Sequence, residues 1–132
     1  MKAVFDTNIF ISALVIPGSR AATALEAVIE GRVQLLISKA IIHEVLDVLA
    51  RKLGRDAEGL SRVAVFLSEL GEIVNPRTTV RRLKDDPDNR ILECAMAGRA
   101  DVIVTGDQPM LSLGEHEGVS VISLRAFLQS LP

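Results

Sequence analysis

Four acidic residues stand where side chains can do chemistry: Asp6, Glu44, Asp88 and Asp107. Asp6 closes the short apolar run Ala3-Val4-Phe5, and Asp107 lies just past Val102-Ile103-Val104, in Thr105-Gly106-Asp107. Asp88 belongs to the run Asp85-Asp86-Pro87-Asp88-Asn89, and Glu44 falls within an apolar-periodic stretch. Carboxylates brought together repel unless something positive lies between them. Hard divalent cations such as Mg²⁺ or Mn²⁺ prefer oxygen ligands and tolerate retained waters. None of these motifs places a lysine or arginine to neutralise the cluster directly. An acid-rich pocket of this kind points to metal-assisted hydrolysis of a phosphodiester.

The elements around the acids decide whether they can meet. The apolar period keeps switching between strand-like and helix-like along the chain. Strands are predicted at Ala3–Phe5, Val33–Ile37, Val102–Thr105 and Val119–Ile122, with a short edge strand at Glu72–Val74. Helices are predicted over 20–31, from Ser38 as N-cap to about Leu53, over 56–70, over 87–98 and from about Leu124 onward. Strands separated by helices imply an α/β fold: a three-layer α/β/α arrangement around a small parallel sheet. Right-handed crossovers bring the carboxyl ends of the strands beside the amino ends of the following helices, where open α/β sheets bind ligands. In the helix after the second strand, Glu44 falls about 40° outside the apolar arc, beside Ile41 and Val48, whereas His43 and Asp47 lie on the outer face. Proline favours the first helical position, so Asp86 is the expected N-cap, and Asp88 shares the inward face of Ile91 and Leu92. The four acids thus converge on one edge of the sheet. Each also has a plainer explanation as a turn, cap or boundary residue, but four independent caps need not share one edge.

Composition narrows the classes. The chain has 132 residues, is 48% hydrophobic, carries a net charge of −2 and contains one cysteine. That length fits one domain over residues 1–132 with a sizeable core. Cys94 alone allows neither a disulfide framework nor a thiolate zinc cluster, which suits a reducing cytoplasm. The slightly acidic balance argues against nucleic-acid binding by bulk electrostatics, and the absence of Trp and Tyr removes common base-stacking platforms. No uninterrupted apolar run approaches a membrane span.

Val4-Phe5-Asp6-Thr7-Asn8-Ile9, the run from Asp85 to Ala95 and the run from Ala100 to Asp107 together resemble the PIN domain, in order and over nearly the whole chain. The nearest branch is the prokaryotic PIN proteins described as toxin components of toxin–antitoxin systems. The resemblance implies a Mg²⁺- or Mn²⁺-dependent ribonuclease whose acids map onto Asp6, Glu44, Asp88 and Asp107, with 5′-phosphate and 3′-hydroxyl products. It also implies that Asn8 and Thr105 steady the liganding carboxylates, with Asn89 beside them. Within the 85–88 run it favours the acid directly before Asn89. Expected partners are RNA, a cognate antitoxin protein and a second copy of the chain, with no membrane.

A polyanion must still enter an acidic pocket. Arg77, Arg81, Arg82 and Lys84 lead into the Asp85 turn and are the first candidates for phosphate contacts, with Arg51, Lys52 and Arg55 next. Each can equally be part of a solvated charged face. Cys94 reads as a packed small residue, and His43 and His116 as surface residues without metal spacing. Two other functions compete: a non-catalytic RNA- or protein-binding module on the same fold, and an aspartyl-phosphate phosphatase or phosphotransferase. The latter type wants a second aspartate two residues after the first, where this chain has Asn8.

Overall fold

The computed structural model describes residues 1–131; Pro132 lies outside the described residues. The chain runs β1 (Lys2–Phe5), α1 (Thr7–Val15), α2 (Arg20–Ile29), β2 (Gln34–Ile37), α3 (Lys39–Leu53), α4 (Ala57–Leu70) and β3 (Glu72–Ile73). It continues through α5 (Asp86–Ala97), β4 (Val102–Val104), α6 (Gln108–Leu111), β5 (Glu115–His116), β6 (Val119–Ile122) and α7 (Leu124–Ser130). The six strands form one sheet in the order β3-β2-β1-β4-β6-β5. All pairings are parallel except β5 with β6, which is antiparallel.

The predicted α/β class holds, with three elements added. The sequence predicts no element just after Asp6, where the structure has helix α1; its β-branched and aromatic residues mask a helix whose first turn is closed by Ile9 N–H on the Asp6 carbonyl (2.9 Å). The other additions are α6, four residues long, and β5, two residues long, both too short for a readable period. Elsewhere the signals worked locally. Ser38 caps α3 by accepting from the Ile41 amide (3.3 Å), Asp56 caps α4, and Ser123 caps α7. One boundary needs correction: Asp85, not Asp86, holds the N-cap position of α5, because the Asp85 carbonyl accepts the Asp88 amide (3.1 Å) and Pro87 follows Asp86 inside the first turn.

Strand β2 shows how the sheet is covered. Alternate residues of a strand face opposite sides. Leu36 meets Gly98 at the end of α5, whereas Leu35 and Ile37 meet Gly71 at the end of α4. The approach at Gly98 is so close that an added Cβ would stand 2.5 Å from Leu36 Cδ1. At the site end, the Phe5 ring packs edge-on against Phe127 (5.4 Å between centroids) and tilted against Phe10 (5.8 Å). Three fully buried rings thus fix the residue that precedes Asp6. No single helix among the described residues is long and apolar enough to cross a membrane. Helices α1 and α2 reach that length and composition only together, across a 98° bend.

Candidate active site

Asp6 leaves β1 with its amide donating to the Val104 carbonyl (2.9 Å), so the pairing of β1 with β4 carries it to the carboxyl edge of the sheet. It precedes α1, yet its carboxylate closes no capping hydrogen bond. Instead Thr105 Oγ1, fully buried just past β4, donates to Asp6 Oδ2 at 2.7 Å. Thr105 Oγ1 in turn accepts the Asp107 amide (3.0 Å). A single hydroxyl therefore ties the loop after β4 to the acid after β1.

Asp6 is 2% exposed, and burial pushes its pKa above the ordinary carboxylate value. The Thr105 hydrogen bond and the nearby amides of Asn8 and Thr7 oppose that rise, while the charge of Asp107 adds to it. Of the three expected supporting residues, Asn8, Thr105 and Asn89, Thr105 holds the carboxylate directly. Asn8 contributes through its amide, its side chain being exposed and without a hydrogen bond.

Asp107 caps α6, its Oδ2 accepting the Met110 amide (3.1 Å). The plainer cap explanation is thus true of one of its oxygens. Glu44 lies on α3 half-buried, with His43 and Asp47 exposed beside it, as the helix phase predicts. Asp88, half-buried in the first turn of α5, makes no side-chain hydrogen bond. Its pKa is pushed up to about 7, first by burial and then by the charges of Asp6, Asp107, Asp85 and Glu44. The strongest charges acting on Asp88 are therefore all acidic, and they include the three other predicted site residues. Asp85 was not among the expected site residues; its place three residues before Asp88, one helical turn away, was the available signal.

Asp88 and Asp107 share a cleft of about 430 Å³, completed by Leu83, Lys84, Asp85 and Pro109. No three acids, histidines or cysteines among the described residues close to metal-binding spacing. Of the basic residues before α5, only Lys84 lines this cleft. Arg77 lines a separate one of about 300 Å³ with Asn75, Thr78, Glu93, Met96 and Ala97. Arg82 Nη1 donates to His116 Nδ1 (2.8 Å).

His116 itself requires a correction, since it is 6% exposed and not a surface residue. A guanidinium only donates, so Nδ1 accepts and Nε2 carries the proton toward Met96 Sδ (3.2 Å). Burial and Arg82 lower the His116 pKa accordingly. Of the alternative basic group, Arg51 is ion-paired with Asp47 on α3. Cys94 is a packed residue, as expected, with burial pushing its thiol up to about 12.

The family model of the PIN domain matches residues 2–109, which include all four acids. The chain belongs to the PIN domain family. It is 30% identical over 120 residues to the uncharacterized protein MJ1680 of Methanocaldococcus jannaschii, covering 88% of this chain and 77% of that protein. In fold, this PIN domain is similar to VapBC2 from Rickettsia felis, solved bound to a DNA fragment from its promoter. The TM-score is 0.66 and the identity 17%, over 93% of this chain and 98% of that one. It is equally similar to VapBC-1 from nontypeable Haemophilus influenzae, with a TM-score of 0.66 and 16% identity over 95% and 99% of the two chains. The fold likeness covers a larger share of the chain than the family match over residues 2–109.

Proposed function

We propose that this PIN domain is a divalent-metal-dependent ribonuclease that hydrolyses RNA phosphodiester bonds and serves as the toxin of a toxin–antitoxin pair. The observation that supports the proposal is the crowding of acids around Asp88, on which the charges of Asp6, Asp107, Asp85 and Glu44 all act. A fold gains nothing from such crowding unless a cation relieves it.

The donor set fits Mg²⁺ or Mn²⁺, being all carboxylate oxygen. Asp6, Glu44, Asp88 and Asp107 are the residues that would hold it. When bound, such an ion supplies Lewis acidity toward the phosphate and lowers the pKa of a water at the site. The chain does the rest. Thr105 keeps Asp6 Oδ2 engaged and fixes the direction of the carboxylate. Asp107, anchored by one oxygen at α6, keeps its other oxygen available. Burial and the surrounding acids push the Asp88 pKa up to about 7, and a cation beside it would favour its charged form. The resemblance to VapBC proteins supports a cognate antitoxin as protein partner; a homodimer as the working form is part of the same proposal.

RNA cleavage by purified protein, with Mn²⁺ or Mg²⁺ and then with excess chelator, tests the proposal; cleavage is expected only with metal. Absence of cleavage together with absence of any metal-induced rise in Tm would leave a non-catalytic module on the same fold.

A further inference from the structure

We propose that Asn89 is a positioning residue: it staples the segment before α5 into one wall of the acid cleft, so that Lys84 meets a substrate phosphate there. The role of Lys84 rests on the nuclease function proposed above; the staple does not.

Residues 80–85 form neither helix nor strand, so their backbone groups need partners from elsewhere. One face of α5 supplies them. Glu93 Oε2 accepts the Val80 amide (2.9 Å), and Arg90 Nη2 donates to the Val80 carbonyl (3.3 Å). Asn89, 2% exposed, does more. Its Oδ1 accepts both the Arg82 amide (3.1 Å) and the Leu83 amide (2.8 Å), and its Nδ2 donates to the Leu83 carbonyl (3.0 Å). Two amides face the oxygen and a carbonyl faces the nitrogen, so the amide has one orientation. Lys84 follows at once, and it is the one basic residue lining the cleft with Asp85, Asp88 and Asp107. Its neighbour Arg82 is turned to His116. The residue beside Asp88 thus builds the wall that carries the cleft's single cation.

Amide hydrogen exchange on the unmodified protein tests the staple. Arg82 and Leu83 are expected to exchange slowly, while Arg81 and Lys84, whose amides have no partner, exchange fast. Uniformly fast exchange across the segment overturns the staple. For Lys84, we expect Lys84→Met to raise KM about tenfold with kcat unchanged. The variant should also weaken binding of a short single-stranded RNA in an Asp6→Asn background that does not cut, with a salt slope smaller by about 0.7. The metal-induced rise in Tm should stay unchanged.

Asn89→Ala is expected to reproduce that KM effect, and the double variant to be no worse than either single one. Additive losses, or an unaltered KM for Lys84→Met, overturn the positioning role. If Asn89→Ala does not fold, the exchange pattern and Lys84→Met decide without it. A parent protein that cuts no RNA overturns the nuclease function instead; the RNA-binding arm still decides on Lys84.

Discussion

The two halves of the acid site are held in opposite ways. Asp6 and Asp107, which follow parallel strands β1 and β4, are joined through the buried Thr105 hydroxyl in an unbroken chain of hydrogen bonds. Glu44 and Asp88, which come from helices α3 and α5, have no side-chain hydrogen bonds and meet the others only through charge. The strand half is preorganised; the helix half is free to adjust. A cation site benefits from both, since fixed ligands set its position and free ones adapt to the spacing that the ion demands.

The largest expected effect tests the rigid half. Asp6→Asn should reduce metal-dependent RNA cleavage by more than the roughly 10–100-fold typical of losing an outer partner, with the fold intact. Full activity in a preparation freed of contaminating nuclease would remove Asp6 from the liganding set. Thr105→Val comes next, since it leaves Asp6 Oδ2 without its donor. A loss of about 1–3 kcal/mol in stability is expected from denaturant unfolding, together with a fall of about tenfold in cleavage. The Asp6 pKa should also rise further, because the Thr105 hydrogen bond now holds it down.

The adjustable half is tested by pH. With its folded pKa raised from 3.8 to about 7, Asp88 binds its proton more tightly in the folded state. Its contribution to stability is therefore complete at low pH and is lost as pH rises through about 7, in the absence of divalent metal. Asp88→Asn should flatten that part of the Tm–pH curve and cripple cleavage; an unchanged curve would mean that Asp88 titrates normally. The smallest effects belong to Asp85→Asn and Asp86→Asn. Neither carboxylate closes the cap of α5, so changes in Tm should stay within about 0.5 kcal/mol equivalent and most cleavage should survive. A dead Asp86→Asn with an active Asp88→Asn would exchange their roles.

Much of this was legible in the sequence where a local rule acted alone. Ser38, the phase of Glu44 on α3 and the position of Asp88 relative to Ile91 and Leu92 each follow from helix geometry over a few residues. What could not be read depends on contacts distant in sequence. The spacing of Thr105-Gly106-Asp107 alone does not show a hydroxyl reaching 99 residues back to Asp6; it is the family resemblance that points to Thr105 as a support for the carboxylates. His116 looked like a surface residue because its partners, Arg82 and Met96, come from other segments. Likewise, the basic run before α5 read as one group, although the fold turns its side chains to different neighbours.

The outer strands of the sheet carry a consequence for behaviour at high concentration. Both β3 and β5 are two residues long, so each border exposes too few unpaired amides and carbonyls to template a strand from another molecule. A parallel sheet whose inner strands are almost wholly apolar would otherwise invite such growth. Short borders deny it a starting point, and association of this chain with itself must proceed through side-chain surfaces instead of through backbone ladders.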